Sequence, residues 1–364
     1  MASNPRFIPE FKIRINGDDI PAAMRASTTQ VSYTDGTEGA DQVQISLANP
    51  DLRWLDHSLL RLKNEVSLSI GYAPDALEEV FVGEITTKEA SFPNGGVPGV
   101  TIRALDLTHR LQRGTKERGF GPLPDPLIVS FIAVENGMKP MLDPGAALAA
   151  VLSVLFNRPR FQANQTDFEF LTRIASEMGV KMFVDGDTLS FRLLQEVTPR
   201  LTLEWGRSLL DFSPTRTNLG EIFGVSIKVW LKELKLDFVI GVAWDFDAER
   251  LDIQVVPGIA ESGLESVSSP KLKLVDQPIS DPTDIAPAVL TALATLKGKL
   301  NSLHRGSGNA IGDTRIRAGA VIELDGVGEF GGNYRVVSTT HSISTGGYRT
   351  SFQARREIIP EFFP

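Results

Sequence analysis

Alternation of apolar and polar residues dominates the first hundred positions of the chain. Apolar side chains recur at every second position in several short stretches, which are Phe11–Ile15, Val43–Leu47, Val66–Tyr72, Phe81–Thr86 and Val100–Ala104. A period of two places one face of a strand in a core and the other in water, as in antiparallel sheets and barrels. The pattern predicts a first β-domain over residues 1–118.

The pattern becomes helical in residues 119–197, a segment called the insert below. An Asp-Pro start followed by an alanine- and leucine-rich run predicts a helix over residues 143–156. Thr166 and Glu169 have the spacing of a capping box, in which each side chain accepts a backbone N–H from the other residue. This box predicts a second helix, and Gly179 provides its C-terminal stop.

A hairpin follows the second helix directly. The strands are predicted over Val180–Val184 and Thr188–Arg192, and Asp185-Gly186 between them is a type I′ turn signal. A helix that leads straight into a hairpin predicts a small packing layer without chemistry.

Strand patterns return after the insert. They cover Phe223–Val229, Phe238–Trp244, Leu251–Val255, Ala320–Leu324, Tyr334–Ser338 and Tyr348–Ala354. Leucines at 290, 293, 296 and 300 predict a helix over 284–303, between a loop at 258–281 and a glycine-rich break at 305–312. We therefore expect a mainly β (α+β) fold. Its remaining parts are a second β-domain of residues 198–257 and 311–357, a loop-and-helix insertion at 258–310, and a C-terminal tail at 358–364.

Basic residues mark the passage from the first β-domain into the insert. Arg110, Arg113, Lys116 and Arg118 stand among glycines and prolines. Short charge runs of this kind usually form solvated loops, which is the expectation here. The alternative is a strip that docks a partner.

Composition excludes several classes of protein. The 364 residues carry 37 Lys and Arg against 45 Asp and Glu, a formal charge of −8, which disfavours a dedicated nucleic-acid binder. With no cysteine, disulfides and thiolate metal sites are excluded, and the four histidines have no metal-ligand spacing. No apolar stretch reaches the roughly 20 residues that span a bilayer, and the N-terminus predicts no secretory signal. We expect a protein made in a reducing cytoplasm.

A dinucleotide-like glycine pattern, Gly326-x-Gly328-x-x-Gly331, is the most prominent chemical motif. In dinucleotide-binding proteins these glycines lead from a strand into a helix, whose N-terminus holds the pyrophosphate. Here they lead into Asn333–Val337, a strand pattern. The context predicts a turn between antiparallel strands that binds no nucleotide.

Other candidates for catalysis are weaker still. Two aspartate pairs, Asp185/Asp187 and Asp245/Asp247, have the spacing of neighbouring carboxylates, but the first flanks a hairpin turn, where aspartate is common. His341 lies between strand patterns and is expected to be a packed histidine, not a base. We predict no catalytic residue, no cofactor and no metal.

Three stretches of the sequence form a further pattern. They are Phe161–Ala175 with Gly179 and the hairpin to Phe191; Leu209–Pro214; and Gly319–Gly328 with Gly332–Val336, His341 and Gly347–Phe352. Together they resemble the phage late-control D family, the tail-hub proteins of contractile phages, and are similar to the hub part of the valine-glycine-repeat spikes of type VI secretion.

This resemblance implies a homotrimeric baseplate hub in a phage tail, a tailocin or another contractile injection system. In that family each subunit supplies two β-barrel-like tube domains, so that three subunits present six similar units to a hexameric inner tube. The implied partners are the inner tube protein, a trimeric spike and baseplate wedge proteins. The implied location is the bacterial cytoplasm during assembly, and afterwards the particle.

The sequence departs from the type VI spikes because it ends at Pro364 without a needle domain. We therefore expect the spike to be a separate protein. Two alternatives come from other functional classes, a carbohydrate-active β-protein that uses Asp245 or Asp247 and a ligand-binding β-barrel.

The C-terminal tail is a second candidate docking segment in the sequence. Ile359, Phe362 and Phe363 would form an exposed apolar patch if the tail stayed in solvent. We expect these side chains to dock on a neighbouring subunit, with a disordered tail as the alternative.

Overall fold

A computed structural model describes most of the chain. It covers residues 8–37, 39–121, 123–142, 159–177, 180–192, 198–216, 222–231, 236–245, 250–257, 273–276, 289, 292, 293, 296, 298, 300, 301 and 303–356. The chain divides into two compact units, one of residues 1–212 and 307–354 and one of residues 213–306 and 355–364.

Strands outnumber helices, so the mainly β fold is confirmed. The strands are β1 Ile8–Ile15, β2 Asp18–Asp19, β3 Thr28–Gly36, β4 Gln42–Ala48, β5 Glu65–Ala73, β6 Glu78–Ser91, β7 Gly99–Leu105, β8 Lys116–Gly119, β9 Lys139–Leu142, β10 Phe161–Gln165, β11 Lys181–Asp185, β12 Thr188–Arg192, β13 Thr202–Glu204, β14 Leu209–Arg216, β15 Ile222–Leu231, β16 Leu236–Asp245, β17 Arg250–Pro257, β18 Lys273–Asp276, β19 His304–Ile311, β20 Val321–Asp325, β21 Gly332–Ser344 and β22 Gly347–Arg356. The helices are α1 Ala22–Ser27, α2 Thr108–Leu111, α3 Asp125–Glu135 and α4 Asp167–Glu177, with 3₁₀ turns at Ser58–Leu60 and Gly328–Phe330.

A 13-stranded sheet forms the frame of the first unit. Its main path runs β14-β19-β22-β21-β3-β4-β7-β6-β5-β1-β2, with β20 paired to β21 and β13 paired to β20. The alternation that predicts these strands is seen directly in β4, where Val43, Ile45 and Leu47 are buried and their neighbours are half-buried. These side chains belong to the first core, which is formed by residues from Ile13 to Ala104 together with Ile343 and Tyr348.

The β21–β22 hairpin belongs to two hydrophobic cores at once. The last part of β21 pairs antiparallel with β3, from Ser338 opposite Gly36 to Ser344 opposite Gln30. The beginning of β21 pairs antiparallel with β20. Tyr348 of β22 packs in the first core, whereas Phe352 packs in a second core with residues of β13, β14 and β20.

The glycine-rich stretch at 305–312 is a strand, so the predicted break is wrong. Residues His304–Ile311 form β19, which lies between β14 and β22 in the sheet. A Cβ at Gly308 would lie 2.8 Å from the Asp211 carbonyl oxygen and 2.8 Å from the Phe352 ring. Glycine here permits a close approach within a sheet and does not mark a turn.

The insert has its own core between α3, α4 and the β11–β12 hairpin. Ile128 and Ile132 of α3 pack there with Phe170 and Ile174 of α4. The hairpin is confirmed, but its two-residue loop is Gly186-Asp187, because Asp185 pairs with Thr188. Only Gly186 of these two has a positive φ, +56°, which fits a type II′ turn in place of the predicted type I′ turn.

The capping box at the start of α4 is confirmed. The Glu169 N–H donates to Thr166 Oγ1 at 3.1 Å, and the Thr166 N–H donates to Glu169 Oε2 at 2.8 Å. The predicted glycine stop at 179 and the predicted helix at 143–156 lie outside the described residues.

The second unit contains a four-stranded sheet in the order β17-β16-β15-β18. Val225, Ile227 and Val229 of β15 alternate on its buried face. They pack against Leu293, Leu296 and Leu300, which agree with the predicted leucine stripe. The domain boundaries stated above stay a prediction.

Removing both halves of the capping box should destabilise α4. Thr166→Ala with Glu169→Ala leaves two helix N–H groups without acceptors, a loss of about 0.5–2 kcal/mol. We expect hydrogen exchange of the α4 amides to accelerate accordingly in the double variant. Glu169→Gln keeps an acceptor and serves as the control; unchanged exchange in the double variant would contradict a capping role.

Candidate interaction surface

The outer face of α3 is apolar and exposed. Leu127, Phe131 and Val134 are spaced four and three residues apart, so they lie on one side of the helix. Their side chains are 57%, 56% and 66% exposed. This 4–3 spacing is the seam by which one helix packs along another.

The inner face of α3 is equally apolar. Ile128, Val129, Ile132 and Ala133 are fully buried in the core of the insert. A helix that is hydrophobic on both sides is typical of an element covered on both sides. The outer face of α3, defined as Leu127, Phe131 and Val134, is therefore the best candidate contact surface among the described residues.

Phe131 is held in position although it is exposed. Its ring packs edge-on against Phe120, with centroids 6.2 Å apart and planes at 73°. The Arg118 guanidinium lies 5.7 Å from the Phe131 ring centre and 5.0 Å from the Phe120 ring centre. Because these contacts fix the ring, the Phe131 side chain would lose little conformational entropy when a partner binds to it.

Arg118 is in turn fixed by acidic partners. Its guanidinium donates to Glu135 at 2.7 Å and to the buried Asp167 at 2.8 Å. Lys116 donates to the same two carboxylates, at 3.2 Å and 2.7 Å. The solvated loop predicted for these basic residues is wrong, since Lys116 and Arg118 lie on β8 and neutralise a buried carboxylate.

Asp167 is the centre of this network and was not singled out from the sequence. Besides Lys116 and Arg118, its carboxylate accepts hydrogen bonds from Asn136 and Gln162, each at 3.0 Å. Burial alone would raise the pKa of Asp167, but the hydrogen bonds from Lys116, Gln162 and Asn136 more than offset it, and the net shift is downward. The ionised carboxylate thus ties β8, α3 and β10 to the start of α4.

The predicted docking tail and one of the predicted aspartates are not among the described residues. Ile359, Phe362 and Phe363 lie outside the described residues, as does Asp247. Asp245 ends β16, where it stands opposite Arg250 in the antiparallel register.

The glycine pattern at 326–331 is a turn, as predicted. β20 and β21 are antiparallel, and the glycines lie in the connection between them. Gly326 and Gly328 have φ values of +77° and +62°, a left-handed conformation that glycine adopts freely.

His341 is a packed histidine, as predicted. It is 1% exposed, and its Nε2 lies 3.0 Å from the Ile316 carbonyl oxygen. Its Nδ1 lies 2.8 Å from the Tyr348 hydroxyl and 3.0 Å from Thr350 Oγ1. Burial lowers the pKa of His341 to about 4, so the imidazole is neutral at physiological pH.

Metal sites and membrane-spanning helices are absent from the described ranges. No group of three or more His, Asp or Glu residues in these ranges is arranged to hold a metal ion. No helix within them is long and apolar enough to cross a membrane.

One family model and several solved structures are similar to the chain. The family model is described as "Alg8 N-terminal domain" and matches residues 8–345. The 43 kDa tail protein of prophage MuSo2 from Shewanella oneidensis has a TM-score of 0.68 at 12% identity, over 96% of this chain and 99% of that one. The tail protein from Neisseria meningitidis MC58 has a TM-score of 0.65 at 14% identity, over 96% and 97%.

A third structure connects the fold with secretion. It is the E. coli c3393 protein, described as a component of the type VI secretion system with structural similarity to T4 bacteriophage tail proteins; its TM-score is 0.57 at 14% identity, over 96% of this chain and 80% of that one. No curated protein matches the chain. At such low identities the shared property is the fold, and it extends over nearly the whole chain.

Substitution of His341 should change how stability depends on pH. The unfolded histidine binds a proton near pH 6.5, whereas the folded one does so only near pH 4. The stabilisation that the neutral ring gives is therefore complete above pH 6.5 and is lost as the pH falls towards 4. We expect the difference in unfolding free energy between the wild type and His341→Gln to shrink over that window in urea titrations. A parallel His57→Gln series provides the control, and a difference that does not vary with pH would contradict the assignment.

Proposed function

The chain belongs to the Alg8 N-terminal domain family, and we propose that it is a structural component of a phage-tail-type or injection particle. The single observation that carries this proposal is the extent of the shared fold. The Shewanella prophage tail protein matches over 96% of this chain and 99% of its own length, so the likeness involves the complete architecture and not one common motif.

Within such a particle we assign the chain to the baseplate hub, as the resemblance to the late-control D family implies. The hub is a homotrimer that joins a hexameric inner tube to a separate trimeric spike. Two β-cores within one chain support this role, because two units taken three times give the six that a hexameric ring needs. The particle is a phage tail, a tailocin or a related contractile system, assembled in the bacterial cytoplasm.

The role requires matched surfaces and no catalysis. The outer face of α3 is the described surface best suited to a contact with a neighbouring particle subunit, such as a baseplate wedge protein. Its apolar side chains are exposed in the single chain, and the Phe131 ring is already fixed by Arg118 and Phe120. The alternatives, a carbohydrate-active protein and a ligand-binding barrel, gain no supporting observation from the described residues.

Imaging of intact particles from a producing bacterium tests the hub assignment. We expect three copies of this chain around the particle axis, between the inner tube and the spike, because closed rotational symmetry prevents open-ended growth. Electron cryomicroscopy of particles with a tagged copy of the chain provides the measurement. Six copies, one copy or a position away from the axis would contradict the assignment.

A charge on the outer face of α3 should prevent incorporation without unfolding the chain. Phe131→Asp places a carboxylate on an exposed position, so we expect the melting temperature to change by no more than about 2 °C. The amount of chain recovered in purified particles should fall at least tenfold, since a buried unpaired charge opposes the contact.

Phe131→Leu keeps the apolar character of the site and is the matched control. It should be incorporated at near wild-type levels. Normal incorporation of Phe131→Asp would show that the outer face of α3 contacts nothing in the particle.

A further inference from the structure

Two acidic residues meet where the chain leaves the first core for the insert. Asp41 lies just before β4 and Asp106 just after β7. The Asp106 N–H donates to the Asp41 carbonyl oxygen at 3.0 Å, which holds the two residues side by side. Asp106 is 6% exposed and Asp41 is half-buried.

Each carboxylate is fixed by neutral donors. Asp41 accepts from the Tyr33 hydroxyl at 2.9 Å and from the Gly36 N–H at 3.3 Å. Asp106 accepts from the Thr108 N–H and the Thr108 hydroxyl, both at 3.0 Å. Through Thr108, the Asp106 carboxylate therefore positions the first residue of α2.

The charged groups around the pair do not neutralise it. Asp35 on β3 adds a third buried carboxylate, which is bonded to the Ala318 N–H and the Thr339 hydroxyl. The cation on this side, Arg317, reaches Asp35 at 4.0 Å and donates to the Tyr33 hydroxyl at 3.4 Å. Its charge is directed at Asp35 and not at the Asp41–Asp106 pair.

On the α2 side, the neighbouring charges are arranged around His109. Its Nδ1 lies 2.5 Å from the Asp106 carbonyl oxygen, and its Nε2 lies 2.8 Å from the Arg113 guanidinium. Glu84 of β6 lies 3.4 Å from the same Nε2 and also binds Arg110. These cations thus face His109 and Glu84, while the carboxylates of Asp41 and Asp106 keep only neutral donors.

We propose that Asp41 and Asp106 form a proton-dependent latch, which holds residues 106–113 against the first core while the pair retains a proton and releases them when both carboxylates ionise. The proton comes from solvent and returns to it, so no other reactant is needed. With both groups charged, the buried Asp106 and the half-buried Asp41 repel each other without a cation bonded to either carboxylate. Opening of residues 106–113 would hydrate both carboxylates. Its cost is the Asp106–Asp41 backbone hydrogen bond, the Arg110–Glu84 ion pair and the burial of Leu111.

The direction of titration agrees with this geometry. Burial raises the pKa of Asp106 to about 7. Burial raises the pKa of Asp41 to about 7 as well, and the charges of Asp106 and Asp35 add to the shift. A carboxyl group with a raised pKa favours the folded arrangement at low pH and disfavours it as the pH rises through 7. The latch is therefore closed in mildly acidic solution and weakened in mildly alkaline solution.

Hydrogen exchange of the full-length protein between pH 5.5 and pH 8.5 tests the latch. After correction for the intrinsic pH dependence of exchange, the protection of residues 106–113 should fall at least tenfold in the wild type, since one pKa unit is a factor of ten. Asp41→Asn cannot ionise, so its protection should stay constant over the same range. Protection of β1 and β5, which belong to the same unit as the pair, reports global unfolding of that unit and should not change.

Three further variants make the result specific. Asp106→Asn repeats the test if Asp41→Asn fails to fold. Asp211 is an exposed aspartate that accepts a hydrogen bond from Asn309, and Asp211→Asn is the matched charge control. In this variant the protection of residues 106–113 should fall as it does in the wild type. A fall that persists in a folded Asp41→Asn or Asp106→Asn variant would overturn the proposal. So would a fall that disappears in His109→Gln or is missing from the wild type.

Discussion

The need to pair every buried polar group governs the region where the two cores of the first unit meet. The β21–β22 hairpin passes from one core to the other there, and His341, Tyr348 and Thr350 on it are buried. An unsatisfied polar group in such a place costs about 1–3 kcal/mol, which exceeds the contribution of most single contacts. The histidine satisfies both of its ring nitrogens within the hairpin and the loop at Ile316, and its ring stacks on Tyr33 at 5.8 Å. This set of bonds is directional, so it fixes the position of the hairpin more narrowly than apolar packing could.

The same requirement explains the insert. The charged side chain of Asp167 is buried at the first residue of α4. Its ion pairs with Lys116 and Arg118 hold strand β8 next to the start of this helix. The arrangement also fixes Arg118 beneath the Phe131 ring. The network around Asp167 thereby fixes a side chain that supports the outer face of α3. Such an arrangement suits the proposed role in a particle, because rigid contact residues lose less entropy when a partner binds.

Local signals in the sequence were sufficient for the alternating strands such as β4 and β5, the capping box at Thr166 and the nature of His341. They were not sufficient for β8, β9, β19 or α3. The alternation of apolar and polar residues determines which face of β4 is buried. A capping box needs only Thr166 and Glu169 at a spacing of three residues. Both features can therefore be predicted from neighbouring positions. The pairing of β3 with β21 could not be predicted, since more than 300 residues separate the paired positions and no local pattern encodes the register. The role of Arg118 was missed for the same reason: its partner Asp167 is close only in the folded chain. Gly308 was misjudged because a glycine that admits Phe352 and a glycine that makes a turn look alike in sequence.

The pairing of β3 with β21 has a consequence for the order in which the protein forms. β3 is synthesised more than 300 residues before β21, the strand that must cover its edge. At about 5–20 residues per second, roughly 15–60 s pass between the two. During that time the nascent chain presents an open sheet edge, which can pair with other chains. The sheet of the first unit is therefore completed only after β21 has been synthesised.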